Sequence, residues 1–422
     1  MNQVSLDGLL QRLEKLHPKF IDLSLERLLR LLIKLDNPHL KLPQVIHIAG
    51  TNGKGSTLSF IKQILIEHSY KVHCYISPHL ESIEERFVIS NRNVTKRKLY
   101  KAIKYVELIN NNEPITFFEI TTAVAFYLFS KSRADFLILE TGLGGRLDAT
   151  NVIKNSIIDI ITPISYDHQE YLGKTLKKIT KEKLGIIKKS SSIIIGKQEK
   201  IIENYILKKL KKNKNKKFFF GKNFKILKIN NKTFSMILNK KKLYFKRPLL
   251  LGEHQIANST LAIVAAFELK KVGYNINNNI INKALIKTIW KGRLEKLNFK
   301  NHIVYLDGAH NVAGAKQLAN FLNINNKKTW LIFGMLNNKD ITIFLKSLKK
   351  YISGVVAIKI PDEKNAFTEK EIYKVCKKLN ILCVKKQNTS SARNYLLQNI
   401  RPERILVTGS LYLIAKIRKL FI

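Results

Sequence analysis

The chain has 422 residues, too many for one ordinary domain, so two or three are expected. Hydrophobic residues make up 45%, which supports a sizeable core and excludes wholesale disorder; the longest apolar runs, such as Ala123–Phe129, fall far short of the roughly 20 residues of a membrane span, so no membrane association is expected. The net charge of +44 suggests a nucleic-acid partner, but the excess is Lys rather than Arg and comes with abundant Ile and Asn, all three with AT-rich codons, so a nucleic acid is not expected.

From the N-terminus, Met1 to Asp7 shows no basic start followed by an apolar stretch, so no secretory signal is expected. Val45–Ala49, Lys71–Ile76, Asp135–Glu140, Asp159–Ile164 and Ser192–Gly196 read as buried strands. Helical patterns lie between them, with Leu58, Ile61 and Leu65 on one face, for example. This alternation predicts a mostly parallel sheet covered by helices. Lys208–Lys217 is almost all Lys and Asn and reads as a solvated loop or helix end. Phe218 to Tyr244 alternates roughly around Asn230-Asn231 and predicts a small β excursion. A domain junction is placed near Trp290–Glu295, giving domains 1–295 and 296–422. Beyond it His302–Asp307, Thr329–Gly334, Gly354–Ile360, Ile381–Val384 and Arg404–Gly409 read as strands of a second α/β domain. Cys74, Cys376 and Cys383 form no CxxC and no disulfide framework, which fits a reducing cytoplasm.

The sharpest motif is Gly50-Thr51-Asn52-Gly53-Lys54-Gly55-Ser56-Thr57, between the first strand and a helix beginning near Ser56. Glycines let the backbone bend so that N–H groups face phosphate oxygens, and the helix N-terminus adds partial positive charge. Lys54 can neutralise β- and γ-phosphate oxygens, and a hydroxyl from Ser56 or Thr57 can reach Mg²⁺. The spacing differs from the commonest phosphate loop, because Gly55 separates Lys54 from the hydroxyls. The alternative is a Gly-rich turn with no ligand.

Further motifs follow in order: Ser77-Pro78-His79-Leu80, Thr116-Phe117-Phe118-Glu119, the run Glu140 to Asn151, Asp167-His168, and Glu182-Lys183-Leu184-Gly185-Ile186. Then come Gly252-Glu253-His254-Gln255 with Asn258, Gly292-Arg293-Leu294-Glu295, and Asp307-Gly308-Ala309-His310-Asn311. The ordered set resembles the folylpolyglutamate synthase/dihydrofolate synthase family, relatives of the Mur cell-wall ligases. Two departures are visible: the family usually has Pro where this chain has Val312, and often an acidic residue where it has Asn338.

The resemblance implies an α/β fold: a Mur-ligase-like P-loop domain with a mostly parallel sheet, plus a smaller Rossmann-like C-terminal domain. It implies a cytoplasmic ligase that uses ATP and Mg²⁺ to join L-glutamate to dihydropteroate and to folates through an acyl phosphate. Two magnesium ions are expected, with a monovalent cation as an optional companion, and the enzyme is expected to be a monomer. Alternatives are a folylpolyglutamate synthase alone, a Mur-type amino-acid ligase, or, in another class, a basic nucleic-acid-binding NTPase.

Residue by residue, the resemblance assigns ATP to Asn52, Gly53, Lys54, Gly55, Ser56, Thr57, Asn258, Arg293 and Asp307. It makes Ser77, Glu140 and His168 metal ligands, with Ser56 and Lys183 joining them; Lys183 would carry a carbamate formed with CO₂. That reaction needs the neutral amine, which burial favours. Lys54, His168 and Lys183 form the catalytic set. Asp22, Leu23 and Ser24, Thr116, Phe117, Phe118 and Glu119, and Arg146, Leu147, Asp148 and Ala149 match pterin contacts. Phe117 and Phe118 can stack on a pterin or fill the core. His310 and Ser410 are candidates for glutamate, but each can equally serve as a helix cap. Arg293, in the junction, would engage phosphates only on domain closure.

Overall fold

The computed structural model describes residues 5–19, 21–324 and 327–422. By contacts the chain divides into two compact units. The first ends at Arg247 and resumes over Ala257–Thr288; the second comprises Pro248–Ile256 and Ile289–Ile422. Residues 248–256 and 289–295 thus fall with the second unit, whereas the reading from sequence keeps them in the first.

The first unit is built on β1 (Gln44–Ala49), β2 (Val72–Tyr75), β3 (Phe87–Ile89), β4 (Arg92–Asn93), β5 (Phe136–Glu140), β6 (Ile158–Ile161), β7 (Ser192–Ile195) and β8 (Lys217–Phe219). Among the described residues they form one sheet in the order β4-β3-β2-β5-β1-β6-β7-β8. From β2 to β8 the neighbours pair in parallel, and at the other edge the β2–β3 and β3–β4 pairings are antiparallel. The central strands are buried along their length, which is why they read as continuous apolar runs rather than alternating ones. Leu137 and Leu139 of β5 and Tyr75 of β2 face a core shared with the helices Glu26–Lys34, Lys96–Asn110 and Phe117–Ser130. Ile161, Ile193 and Ile195 meet the helices Leu176–Leu184 and Lys200–Lys209 in a second core.

The expected β excursion is a three-stranded antiparallel meander of β9 (Phe224–Ile229), β10 (Thr233–Leu238) and β11 (Lys241–Lys246), with Asn230-Asn231 in its first turn. The Lys/Asn tract spans a helix end, a turn and the start of β8.

The second unit carries β12 (Glu295–Phe299), β13 (His302–Asp307), β14 (Thr329–Phe333), β15 (Gly354–Ala357), β16 (Cys383–Lys385) and β17 (Arg404–Thr408), in the order β12-β13-β17-β14-β15-β16. All pairs are parallel except β12 with β13. Cys376, on the helix Glu369–Lys378, and Cys383 meet thiol to thiol because the chain turns back there, although their spacing suggests no pair; both remain free thiols. Among the described residues no helix is long and apolar enough to cross a membrane.

Candidate active site

The chemistry-bearing residues of the first unit gather at the C-terminal ends of its parallel strands, where open α/β sheets bind ligands. The glycine bend follows β1, Ser77 lies just past β2, Glu140 ends β5, and His168 follows β6.

The helix after β1 begins at Lys54, two residues before the expected start, with Gly53 as its N-cap at φ +86°. Its first helical bond is Thr57 N–H to the Gly53 carbonyl at 2.9 Å. The N–H groups of Lys54, Gly55 and Ser56 therefore have no acceptor within the helix. The N–H groups of Thr51 and Asn52 both donate to the Pro163 carbonyl, at 3.0 and 3.3 Å. These bonds, with that of Thr51 Oγ1 to the Ser165 carbonyl (3.1 Å), pin the outer bend to the strand end beside it. A side chain at Gly50 is excluded, since its Cβ would lie 1.8 Å from Thr162 Oγ1. At Gly53 the Cβ would lie 2.5 Å from Asn258 Oδ1, which puts Asn258 against the bend.

Two amines converge here. Lys54 Nζ and Lys183 Nζ both donate to the Gly50 carbonyl, at 3.3 and 2.9 Å. Lys183 is buried, and burial followed by the charge of Lys54 brings its amine down to about 7, against the opposing pull of Asp167 and Asp148. Asp167, beside His168 in the sequence, thus belongs to the surroundings of Lys183. Ser77 N–H donates to Glu140 Oε2 at 3.3 Å. The buried hydroxyls of Ser77, Thr57 and Thr141 have no hydrogen-bond partner. The unsatisfied oxygens of Ser77 and Thr141, next to buried Glu140, fit a hard divalent cation. The Thr57 hydroxyl, on the same helix as Ser56, is one of these unpartnered hydroxyls, and Thr141 is an addition to the predicted set. His168 has left-handed backbone (φ +49°) and caps a short helix, with Nε2 3.8 Å from Asp167 Oδ1.

Lys183 is held by a close backbone approach. Arg146 N–H donates to the Glu182 carbonyl at 2.8 Å, and Arg146 Nε and Nη2 both reach Glu182 Oε1. A Cβ on Gly145 would lie 2.7 Å from the Glu182 carbonyl oxygen, and the Cβ of an alanine at Gly185 would lie 2.5 Å from Arg146 Cα. Gly185 has φ −63°, so alanine there carries no backbone strain and only the contact is tested. Gly185→Ala is expected to lower stability by about 1–3 kcal/mol. It should also cut turnover, because the helix end bearing Lys183 must move. Thermal melting and ADP release check this; unchanged values in both would mean the two backbones separate without consequence.

The three stretches matched to pterin contacts lie together. Arg27 forks Glu119, with Nε and Nη2 each at 3.1 Å, and its Nη1 reaches Asp22 Oδ2 at 3.1 Å. Thr116 and Glu119 form a capping box that starts the helix Phe117–Ser130. Phe118 stacks on Tyr75 with centroids 5.8 Å apart and abuts Gly142, while Phe117 faces the Arg86 guanidinium. Asp148 is buried and bonded through both oxygens, to Leu143 N–H and to Thr150. Burial is the main cause holding its carboxyl above the usual range. Leu147 and Ala149 flank it, Ala149 in the core. Leu23 packs against the second core, and Ser24 accepts from Glu26 N–H at 3.3 Å. Beside Asp22 and Leu23 opens a cleft of about 600 Å³, also lined by Lys19, Ile21, Glu170 and Tyr171.

Arg293, Asp307, His310 and Ser410 belong to the second unit. Asp307 ends β13 and accepts from Leu294 and Ala309 N–H groups, both at 2.8 Å. Burial raises its carboxyl pKa while Arg293 opposes the rise. His310 is not the cap of the following helix, a role Asn311 takes through Gly314 N–H; its Nδ1 lies 2.9 Å from the Gly308 carbonyl. Ser410 is a helix N-cap, accepting from Tyr412 N–H. Val312 occupies the first helical position, where the family's Pro would be tolerated, so this departure leaves the helix intact.

Residues 48–266 match the Mur ligase middle domain, and 291–420 match the dihydrofolate synthetase C-terminal domain. A dihydrofolate synthase/folylpolyglutamate synthase of Bacillus subtilis is 31% identical over 417 residues, covering 94% of each chain. The chain belongs to the dihydrofolate synthase/folylpolyglutamate synthase family. It is an ATP-dependent ligase of the Mur type. Another dihydrofolate synthase/folylpolyglutamate synthase, from Escherichia coli, is 30% identical, covering 81% of this chain and 79% of its own. Among solved structures, E. coli FolC in complex with DHPP and ADP superposes with a TM-score of 0.88 at 27% identity, covering 99% of this chain and 97% of that one. A Yersinia pestis folylpolyglutamate synthase/dihydrofolate synthase complexed with AMPPNP and Mn ion gives 0.86 at 25% identity, covering 99% and 98%.

Proposed function

We propose that this dihydrofolate synthase/folylpolyglutamate synthase homologue joins L-glutamate both to dihydropteroate, giving dihydrofolate, and to the γ-carboxyl of reduced folates, giving folylpolyglutamates. The observation that carries the reading is the convergence of Lys54 and Lys183 on the Gly50 carbonyl beside a helix N-terminus. A carboxylate oxygen of the pteroate attacks the γ-phosphorus of ATP, and ADP leaves. The uncharged amine of glutamate then attacks the acyl carbon, inorganic phosphate leaves, and the amine proton passes to solvent.

Two anions must meet in the first step, so cationic groups have to hold them in line. Lys54 and the open N–H groups of Lys54, Gly55 and Ser56 are proposed to bind the phosphates. Asn52, Gly53, Thr57, Asn258, Arg293 and Asp307 are the other proposed nucleotide contacts. Ser77, Glu140, His168, Ser56 and a carbamylated Lys183 would hold Mg²⁺, two ions in this reading with a monovalent cation as companion. Bound Mg²⁺ would screen the charge of the triphosphate and the incoming carboxylate. The pterin is assigned to Asp22, Leu23 and Ser24, Thr116–Glu119 and Arg146–Ala149. Thr116, Glu119 and Asp148 already spend their oxygens internally, so they shape that pocket, while Asp22 and Arg146 keep exposed faces for contacts. His310 and Ser410 are proposed for glutamate. The reading is of a cytoplasmic monomer.

The test is ADP release with dihydropteroate, tetrahydrofolate or a nucleotide-linked peptide as acceptor, with and without glutamate. Turnover with the first two, dependent on glutamate, is expected. Response to tetrahydrofolate alone would restrict the enzyme to polyglutamylation. Turnover only with the nucleotide peptide, or stimulation only by DNA or RNA, would overturn the folate assignment.

A further inference from the structure

In the second unit, the turn that presents Arg293 is held in an unfavourable conformation. Gly292 has φ +69° and Leu294 has φ +46°. The left-handed region disfavours a side chain such as that of Leu, so it persists only where surrounding bonds fix it. Here those bonds are visible. Gly308 N–H donates to the Gly292 carbonyl at 2.9 Å, Leu294 N–H to Asp307 Oδ2 at 2.8 Å, and Gly292 N–H to Glu295 Oε2 at 2.9 Å. Glu295 is itself gripped by Arg418, beyond the last α-helix of the chain: Nε lies 3.0 and 3.1 Å from its two oxygens, and Nη2 2.7 Å from Oε1. Both side chains are nearly buried, at 13% and 12% exposure, so the pair is shielded from the screening that weakens surface ion pairs.

The same helix, Leu411–Ile417, touches the turn's partner loop at its other end. A Cβ on Gly308 would lie 2.3 Å from Leu411 Cδ2 and 2.9 Å from Arg293 Nη1. The Arg293 guanidinium therefore rests on Gly308, beside Asp307. Burial of His254, with the Arg293 charge adding to it, brings that imidazole down to about 4.

We propose that Arg418 is a positioning residue for nucleotide use: through Glu295 it holds the Gly292–Glu295 turn, and so aims Arg293. The proposal rests on the reading of Arg293 as a nucleotide contact. Arg418 touches no reacting group in this scheme; it acts through a bond chain ending at the Gly292 N–H, one residue before Arg293. A forked, charge-assisted bond is the device such a turn needs, because a single contact leaves it free to pivot.

The test is steady-state ADP release by the full-length enzyme. Arg418→Ala is expected to raise KM for ATP about tenfold, the scale of one lost charge-assisted bond, while KM for dihydropteroate changes little. Arg418→Lys should recover part of the loss. Glu295→Gln should raise KM for ATP as well; it preserves shape and serves if Arg418→Ala melts at the assay temperature. The double variant Arg293→Ala/Arg418→Ala should be no worse than Arg293→Ala alone, since Arg418 then has nothing to aim. Additive losses, or an unchanged KM for ATP in both Arg418→Ala and Glu295→Gln while Arg293→Ala raises it, would overturn the positioning role. An unchanged KM in Arg293→Ala itself would instead remove the nucleotide reading of Arg293, and the proposal with it.

Discussion

Replacing Lys183 by alanine is expected to lower glutamate-dependent ADP release roughly 100- to 1000-fold, the scale of losing one preorganised charged group from an active site. Depleting CO₂ from the wild-type enzyme should lower it too, with recovery on adding bicarbonate. The cause lies in the burial of the amine. With its pKa brought down to about 7, a large share of Lys183 is neutral near neutral pH, whereas an ordinary lysine is almost wholly protonated there. The neutral nitrogen can attack CO₂, lose one proton to solvent and become a carbamate anion. The sign of the pH effect follows. The folded pKa lies below the unfolded value, so the reactive amine is present above about pH 7 and is lost as pH falls through it. Activity at limiting CO₂ should show an acid limb there. Lys183→Arg, which cannot deprotonate, should not restore activity. A ¹³C signal for a carbamate, grown from labelled bicarbonate and missing in Lys183→Ala, checks the chemistry. Full activity of Lys183→Ala, or indifference to CO₂ with no such signal, would remove carbamylation from the scheme.

The parallel strands of both sheets other than β8 were legible because burial makes them continuous apolar runs, as in Val45–Ala49 and Ser192–Gly196. Short strands and strands at a sheet edge were not. β3 and β4 are too short to show a period, β8 begins inside a lysine tract, and β12, half-exposed at an edge, overlaps the Gly292–Glu295 motif. The grouping of residues 248–256 with the second unit was not legible, because the uninterrupted helix Glu253–Lys271 hides the change of unit at Ala257. In the site, motif residues were legible but their partners were not. Thr116 and Glu119 also make a capping box, a signature present in the sequence, yet the fork from Arg27 to Glu119 depends on how the helices pack. No spacing rule could bring Lys183 onto the Gly50 carbonyl. That contact exists because Gly145 and Gly185 let two backbones close together.

Lys54→Met should reduce kcat/KM for ATP by roughly 100- to 1000-fold, the scale of removing one preorganised donor from a site of developing charge. Lys54 stands at the first position of its helix, so its amine adds to three N–H groups that no carbonyl in the helix can satisfy. The bend cannot relax to compensate, since Thr51 and Asn52 are tied to Pro163 and Gly50 has no room for movement toward Thr162. Arginine should be a poor substitute, because the amine of Lys183 already shares the Gly50 carbonyl and a planar fork needs more space. The variant has a second expected consequence. Removing the Lys54 charge takes away a repulsion that disfavours protonated Lys183, so the Lys183 pKa should rise and the acid limb should move to higher pH. Nucleotide titration, ADP release and the pH profile of Lys54→Met separate the two effects. Loss of turnover with a shifted limb places both amines in one electrostatic unit, and loss without a shift confines Lys54 to the phosphates. Retention of ATP turnover would reduce the glycine bend to an ordinary turn.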